Sequence, residues 1–348
     1  TEYLKISDSY VKTSKINNQE ILIIDPKALT ILSQRAFKDV SHLLRKSHLK
    51  QLRDILEDKE ASSNDKFVAL TMLKNANISA SGVLPMCQDT GTAIIMGYKG
   101  EKVFTNSDDN EFLSLGVYKT YKENNLRFSQ LAPVSMFEEK NTANNLPAEI
   151  SIFANEGQEY KFAFVQKGGG SANKSFLFQA TPTTLNPENL KKFLYEKIIS
   201  LGTAACPPYH LSVVIGGTSA EFNLKTVKLG SMRYLDNLPK AGNLKSGHAY
   251  RDLEWEKIIL KLTREMGIGA QFGGKYFCHD VRVIRLPRHG ASLPISIGVS
   301  CGADRQALAK INKKGVFIEK LEKNPAKFLP KVHTKFLSKK EIKIDLDK

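Results

Sequence analysis

Cysteine is scarce in this chain. There are four in 348 residues, at Cys87, Cys206, Cys278 and Cys301. That is too few, and too scattered, for a disulfide framework in a protein of this size. No two form a CxxC pair, so the usual structural zinc signature is missing, and a reducing compartment is expected. Long apolar runs are also lacking: none approaches the ~18 residues of a membrane span. The first thirty residues have neither the apolar core of a signal peptide nor the Arg-rich, acid-poor character of a transit peptide. A chain that opens at Thr1 is, however, what a trimmed leader leaves. There is no internal repeat, no GxxxxGK[ST] phosphate loop and no GxGxxG dinucleotide fingerprint.

What is present begins with charge. Hydrophobic residues make up 41% and charged residues 25%, with a formal net charge of +15. The excess raises nucleic acid as a partner. Much of it lies in residues 310 to 348, with 12 Lys against 5 Asp or Glu. These lysines are dispersed among Leu, Phe, Pro and acids, without an RNP-like aromatic pattern or zinc-finger spacing. Solvated lysines are the reading, with neither nucleic acid nor membrane expected as partner. The same field attracts an anionic small molecule.

The length suits two domains or one large α/β domain. Strands are expected at Ile21–Ile24, Ala93–Met96, Leu211–Ile215, Val281–Leu286 and Ile295–Ser300. Glu149–Ala154 and Tyr160–Val165, separated by a Gly-containing turn, read as a hairpin. Apolar spacing predicts one or two helices from Ala28 to about Leu56. Further helices are expected over Lys66 to about Asn75, Glu111–Tyr121, Pro187 to Gly202, Leu253–Met266 and Ala303–Ile311. The class is α/β (mixed α+β), with sheets flanked by helices and an active site at Gly-rich loops at strand ends. Residues 1–323 form the expected domain. Residues 324–348 read as a linker, and Ile342 to Leu346 as the start of another domain.

The stretch Pro85-Met86-Cys87-Gln88-Asp89-Thr90-Gly91-Thr92 concentrates chemistry in one bend: a soft ligand, an amide, an acid and a glycine that permits the turn. Cys206 lies in a similar Pro-bearing irregular segment. Cys301 sits between a strand and an expected helix start, where the dipole favours a thiolate. Three such cysteines suit one metal centre, but they also fit three unrelated thiols, because separations near one hundred residues are not a spacing code. The loop Lys167-Gly168-Gly169-Gly170-Ser171-Ala172-Asn173-Lys174 suits a carboxylate cradled by backbone N–H groups, or a plain strand exit. Arg127, Arg282, Arg285 and Arg288 offer fork-shaped partners for carboxylates, or structural ion pairs.

Those two motifs, with Gly216-Gly217-Thr218-Ser219-Ala220-Glu221 and Arg285-Leu286-Pro287-Arg288-His289-Gly290-Ala291-Ser292, carry a resemblance from about residue 30 to residue 315. The chain resembles the N-terminal domain of class I, iron–sulfur-dependent fumarate hydratases of the single-chain eukaryotic type. L-tartrate dehydratases and mesaconate hydratases share that architecture. The resemblance implies Cys87, Cys206 and Cys301 as ligands of a [4Fe–4S] cluster, with Cys278 a bystander. It implies a dicarboxylate site lined by Gln88, Asp89, Arg127, Gly170, the run Asn173, Lys174, Ser175, Phe176, Leu177, Phe178 and Gln179, and His289. Asp89 is the implied proton-transfer group, and fumarate and (S)-malate the implied substrates. A C-terminal domain completing the site and a homodimer are also implied; a mitochondrial matrix location is expected, with cytoplasm as alternative. A non-catalytic iron or nucleic-acid sensor on the same scaffold is the rival reading.

Overall fold

Apolar residues alternating along strands and recurring every three or four along helices set the layers of the computed structural model, which describes residues 1–331. In chain order come β1 (Tyr3–Ser7), β2 (Val11–Ile16), β3 (Gln19–Ile24), α1 (Lys27–His42), α2 (Lys46–Glu57) and α3 (Ser63–Ser79). Next are β4 (Thr92–Gly100), β5 (Val103–Phe104), α4 (Asp109–Glu123), β6 (Leu131–Pro133), β7 (Glu139–Asn141), β8 (Glu149–Asn155) and β9 (Tyr160–Lys167). Then follow α5 (Gly169–Ala172), β10 (Ser175–Ala180), α6 (Pro187–Ile199), β11 (Tyr209–Gly217), α7 (Ala220–Ser231), β12 (Tyr250–Arg251) and α8 (Leu253–Glu265). The last are β13 (Cys278–Arg288), β14 (Leu293–Ser300), β15 (Gln306–Asn312) and β16 (Gly315–Glu319). The mixed α/β class is as expected, and no helix among the described residues is long and apolar enough to cross a membrane.

The chain divides into two units. The first holds Thr1–Lys59, Lys66–Gln166 and the described residues from Arg305 on; the second holds Glu60–Asp65 and Lys167–Asp304. In the first, a sheet of order β1-β16-β15-β9-β4-β8 is covered by α1. Leu29, Leu32, Ala36, Phe37 and Val40 recur on one face of α1 and are fully buried. They pack on Phe162, Phe164, Ala307 and Ile311, with Phe37 edge-on to Phe164 at 5.6 Å. Each Leu, Val, Ile or Phe among them contributes about 1.5–3 kcal/mol by leaving water. Gly116 lets α4 lie against α1, since a Cβ there would meet the Thr30 carbonyl oxygen at 2.5 Å.

The second unit has a sheet of order β10-β14-β11-β13-β12, with β11 parallel to β13 and antiparallel to β14. Period-two alternation splits its buried residues. Val213, Val283 and Ile297 meet α6 and α8, whereas Val214 and Ile284 meet Val227 of α7. With both faces covered, β11 is buried throughout, as strands between two helical layers are.

Local signals were reliable at helix starts. Asn186 caps α6 with Pro187 behind it, and Ser62 and Asp65 exchange reciprocal bonds, a capping box at the start of α3. Two expectations fail. β8 and β9 are not a hairpin: β8 pairs in parallel with β4, which separates it from β9. The helix expected over Ala303–Ile311 is instead a turn and then β15, paired with β9 and β16. Its Ala, Leu and Lys favour helix by only tenths of a kcal/mol each. Burying Ala307, Ala309 and Ile311 on one pleat outweighs that. Most of the expected linker, 332–348, and the start of a further domain at Ile342 to Leu346 lie outside the described residues.

Candidate functional site

In the first unit, the Cys87 turn is held on a scaffold of buried polar groups. Its entry is pinned by the Met86 N–H, which donates to the Ser41 carbonyl at 2.7 Å, and by Asn75 Nδ2, which donates to the Met86 carbonyl at 2.5 Å. Its exit is stitched to the Arg127 segment: Thr90 Oγ1 donates to the Arg127 carbonyl at 2.8 Å and accepts from the Arg127 N–H at 3.0 Å. Gly91 adopts φ +68°, the left-handed bend expected of it. Asp89 Oδ1 accepts from the Gly91 N–H at 3.0 Å and lies 3.5 Å from an Arg127 guanidinium nitrogen. Arg127 and Gln88 are exposed, while Cys87 and Asp89 are half-buried. Acid and thiol thus share one accessible turn, with the Arg127 guanidinium beside it.

Beneath it, the Tyr121 hydroxyl points its proton at the carbonyls of Thr90 (2.5 Å) and Gly91 (3.0 Å) and accepts from Gln166 Nε2 at 2.9 Å. Asn145 Nδ2 donates to the same Gly91 carbonyl at 3.0 Å. Burial pushes the Tyr121 phenol up to about 12; the Gln166 bond and the Arg305 charge work against burial, and the Asp89 charge works with it. Gln166 Oε1 in turn accepts from Arg305 Nη1 at 3.1 Å and faces the Ser41 hydroxyl at 3.1 Å. None of Tyr121, Asn145, Gln166 or Arg305 was legible as a site residue in the sequence. Their roles rest on contacts across as many as 139 positions.

In the second unit, Cys206 and Cys301 are brought together. The Gly302 N–H donates to the Cys206 carbonyl at 2.9 Å, so the two cysteine segments lie side by side. Cys206 itself has φ +60°, a left-handed conformation that few side chains adopt and that gathers at functional positions. Tyr209 braces this loop, donating to the Gly202 carbonyl at 2.8 Å and accepting from the Ala205 N–H at 3.2 Å. Burial raises the Tyr209 phenol; the Ala205 bond opposes, and Cys206, Cys278 and Cys301 nearby add to the rise. Gly170 has no room for a side chain, because a Cβ would meet the Ala204 carbonyl oxygen at 2.7 Å. The glycine loop therefore presses on the residues just before Cys206.

Behind Cys301 lies a buried charge network. The Cys301 carbonyl accepts from the Asp304 N–H at 3.1 Å, and the Asp304 carboxylate pairs with Arg233 and faces His210 at 3.8 Å. His210 Nδ1 meets Asp280 at 2.9 Å, and Arg282 bridges Asp280 and Asp236 at 2.8 Å each. Burial works to raise the Asp280 carboxyl, but His210, Arg282 and Arg233 together hold it well below the usual carboxylate range. Because β15 follows Cys301, the helix dipole expected beside that thiol is absent.

The other sequence candidates separate. Arg282 is spent on ion pairs, Arg285 on the Ile215 carbonyl (3.0 Å), and Arg288 on the carbonyls of His289, Gly290 and Ser292 (2.8–3.0 Å). His289 is exposed, its Nδ1 accepting from the Ala291 N–H at 3.2 Å. Asn173 and Lys174 end the glycine loop, but Ser175–Gln179 belong to β10, an edge strand whose side chains alternate between faces. Phe178 goes to the core side, against Phe193. Cys278 is fully buried at the start of β13, where burial raises its thiol.

All four thiols are free of disulfides. The paired Cys206 and Cys301 segments of the second unit and, separately, the Cys87 turn of the first offer thiol sulfur, a soft donor that suits iron or an iron–sulfur group better than a hard cation.

The fold and its turns define a mixed α/β protein that presents thiols, an acid and a guanidinium on loops at strand ends, where such folds build ligand sites. A profile described as "Fumerase: Fumarate hydratase (Fumerase)" matches residues 30–310, and the chain belongs to that family. It is 56% identical over 348 residues to "Fumarate hydratase class I, aerobic" of Escherichia coli strain K12, covering 100% of this chain and 63% of that protein. It is 58% identical over 332 residues to "Fumarate hydratase 1, mitochondrial" of Leishmania major, covering 95% and 60%. A "Putative L(+)-tartrate dehydratase subunit alpha" of Methanocaldococcus jannaschii is 31% identical over 265 residues, covering 73% of this chain and 87% of that one. The chain spans about three fifths of the length of the fumarate hydratases it matches.

Proposed function

We propose that this chain is the cluster-binding part of a hydro-lyase interconverting fumarate and (S)-malate, with Cys87, Cys206 and Cys301 ligating a [4Fe–4S] cluster. The observation that carries this is the pairing of the Cys206 and Cys301 segments through the Gly302 N–H, in a chain of the fumarate hydratase family. When bound, the cluster supplies Lewis acidity, since three thiolates leave one of four irons an open position.

The chain's own residues do the rest. Arg127 meets a substrate carboxylate, and the N–H groups of the glycine loop around Gly170 cradle anionic oxygen. Charge that develops on a carboxylate as the neighbouring carbon loses its proton is stabilised by these cations and N–H dipoles. Asp89 exchanges the proton that leaves with, or arrives on, the hydroxyl group, its carboxylate aimed by Gly91 and Arg127. Gln88, Asn173, Lys174, the ligand-facing side of Ser175–Gln179 and His289 complete the lining on this side. A C-terminal domain, corresponding to the part of the relatives this chain does not span, supplies the general base. A homodimer in the mitochondrial matrix is the proposed setting.

The test is anaerobic reconstitution with iron and sulfide, followed by absorbance and fumarate hydration with the C-terminal domain supplied. Cys87→Ser, Cys206→Ser and Cys301→Ser are each expected to abolish the brown chromophore, and Cys278→Ser to keep it. A chromophore indifferent to all three ends the proposal. Running L-tartrate and mesaconate beside fumarate decides the substrate, because a tartrate dehydratase subunit is among the relatives.

A further inference from the structure

Arg305 is 3% exposed, and among the described residues no carboxylate lies within ion-pair distance of it. Its Nη1 donates to Gln166 Oε1 at 3.1 Å, and its carbonyl accepts from the Gln166 N–H at 3.0 Å. Its Nε and Nη2, both fully buried, have no acceptor among the described residues. A guanidinium cannot shed its charge in a protein, and a buried one without a counter-charge costs several kcal/mol. Such a group is kept where an anion meets it. Through Gln166 and Tyr121, Arg305 is already tied to the carbonyls of Thr90 and Gly91, the turn that bears Cys87 and Asp89.

We propose that Arg305 is the buried cation serving the anionic thiolate–sulfide group carried by the Cys87 turn, with Nε and Nη2, the two nitrogens left without an acceptor, available to that group. This rests on the iron–sulfur reading above. Hydrogen bonds and charge beyond the ligands tune such groups and hold them against loss. Arg305 is therefore a positioning and tuning residue whose role exists only when the group is bound.

That dependence separates it from ordinary structural support. Arg305→Met keeps an unbranched stem and removes the charge, and Arg305→Lys keeps the charge with less directed donors. Each is compared with wild type in the iron-free chain and in the anaerobically reconstituted chain. The expected result is a Met variant whose iron-free melting temperature is unchanged or raised. Once reconstituted, it should lose iron to a chelator about 10- to 100-fold faster, with a shifted reduction potential and with Lys intermediate. A Met variant that melts several degrees lower without iron overturns the proposal in favour of plain structural support. Equal iron retention and equal potential in the reconstituted Met variant and wild type overturn it as well. Normal retention combined with loss of the spectral change caused by fumarate would assign the anion to the dicarboxylate instead, and also overturn it. A wild-type chain that takes up no chromophore overturns the underlying reading, and is distinguished from the other outcomes by the wild-type arm alone.

Discussion

Replacing Tyr121 with Phe removes one oxygen from beneath the Cys87 turn, and the structure sets the size of the effect. The hydroxyl donates toward the Thr90 and Gly91 carbonyls and accepts from Gln166 Nε2. The Gly91 carbonyl keeps its bond from Asn145. The Thr90 carbonyl and one Gln166 N–H are left buried and unpaired, each at about 1–3 kcal/mol. The variant should therefore be less stable by about 3 kcal/mol at pH 7. The sign with pH follows from the phenol, raised from 10 to about 12 by burial. A raised acid stabilises the fold fully below pH 10, and that contribution is lost as pH climbs through 12. At pH 11 the wild type has given up about 1.4 kcal/mol that the Phe variant never had, so the gap between them narrows. Guanidinium unfolding followed by far-UV circular dichroism at pH 7, 9 and 11 measures this. The single tryptophan, Trp255, belongs to the second unit and is not the probe of choice. A variant within about 0.5 kcal/mol of wild type at pH 7 lies within ordinary surface scatter and refutes the reasoning, as does a deficit that stays constant to pH 11.

Two further outcomes are expected. Gly170→Ala drives a methyl group to 2.7 Å from the Ala204 carbonyl oxygen. It should displace the Cys206 loop, costing about 1–3 kcal/mol, and the reconstituted chromophore should weaken more than the unfolding midpoint falls. Equal chromophore yield from Gly170→Ala and wild type would show that the loop does not govern that thiol. Asp280→Asn leaves His210 and Arg282 without their shared carboxylate and should cost about 3–5 kcal/mol at pH 7. Because the Asp280 carboxyl is held low, its contribution is present above pH 4 and lost as pH falls below that. The acid limb of stability should thus be shallower in the variant, and parallel limbs would remove Asp280 as its source.

The residues proposed to carry the chemistry could be read from the chain as written, because each is singled out by its own side chain and its immediate neighbours. A glycine two places after Asp89 announces a bend, and Gly91 makes it. Pro187 and Ser62 with Asp65 announce helix starts, and the caps there are satisfied within three residues. Ala303–Ile311 shows where that locality ends. Its composition favours a helix, yet partners on β9 and β16 and a core under α1 make most of it a strand. Local preference amounts to tenths of a kcal/mol per residue, and long-range burial to more. The same applies to the apparent hairpin, because adjacency along the chain does not decide which strand edge is free.

Sequence alone therefore determined which thiols, acids and glycines the chain offers and that they sit in turns, since bond geometry and nearest neighbours suffice for that. Tertiary structure alone decided that Cys206 lies beside Cys301. It also decided that Gly170 abuts Ala204, and that Tyr121, Gln166 and Arg305 stand under the Cys87 turn. Those are contacts between distant positions, chosen by which surfaces bury one another, and no stretch of the chain encodes them by itself.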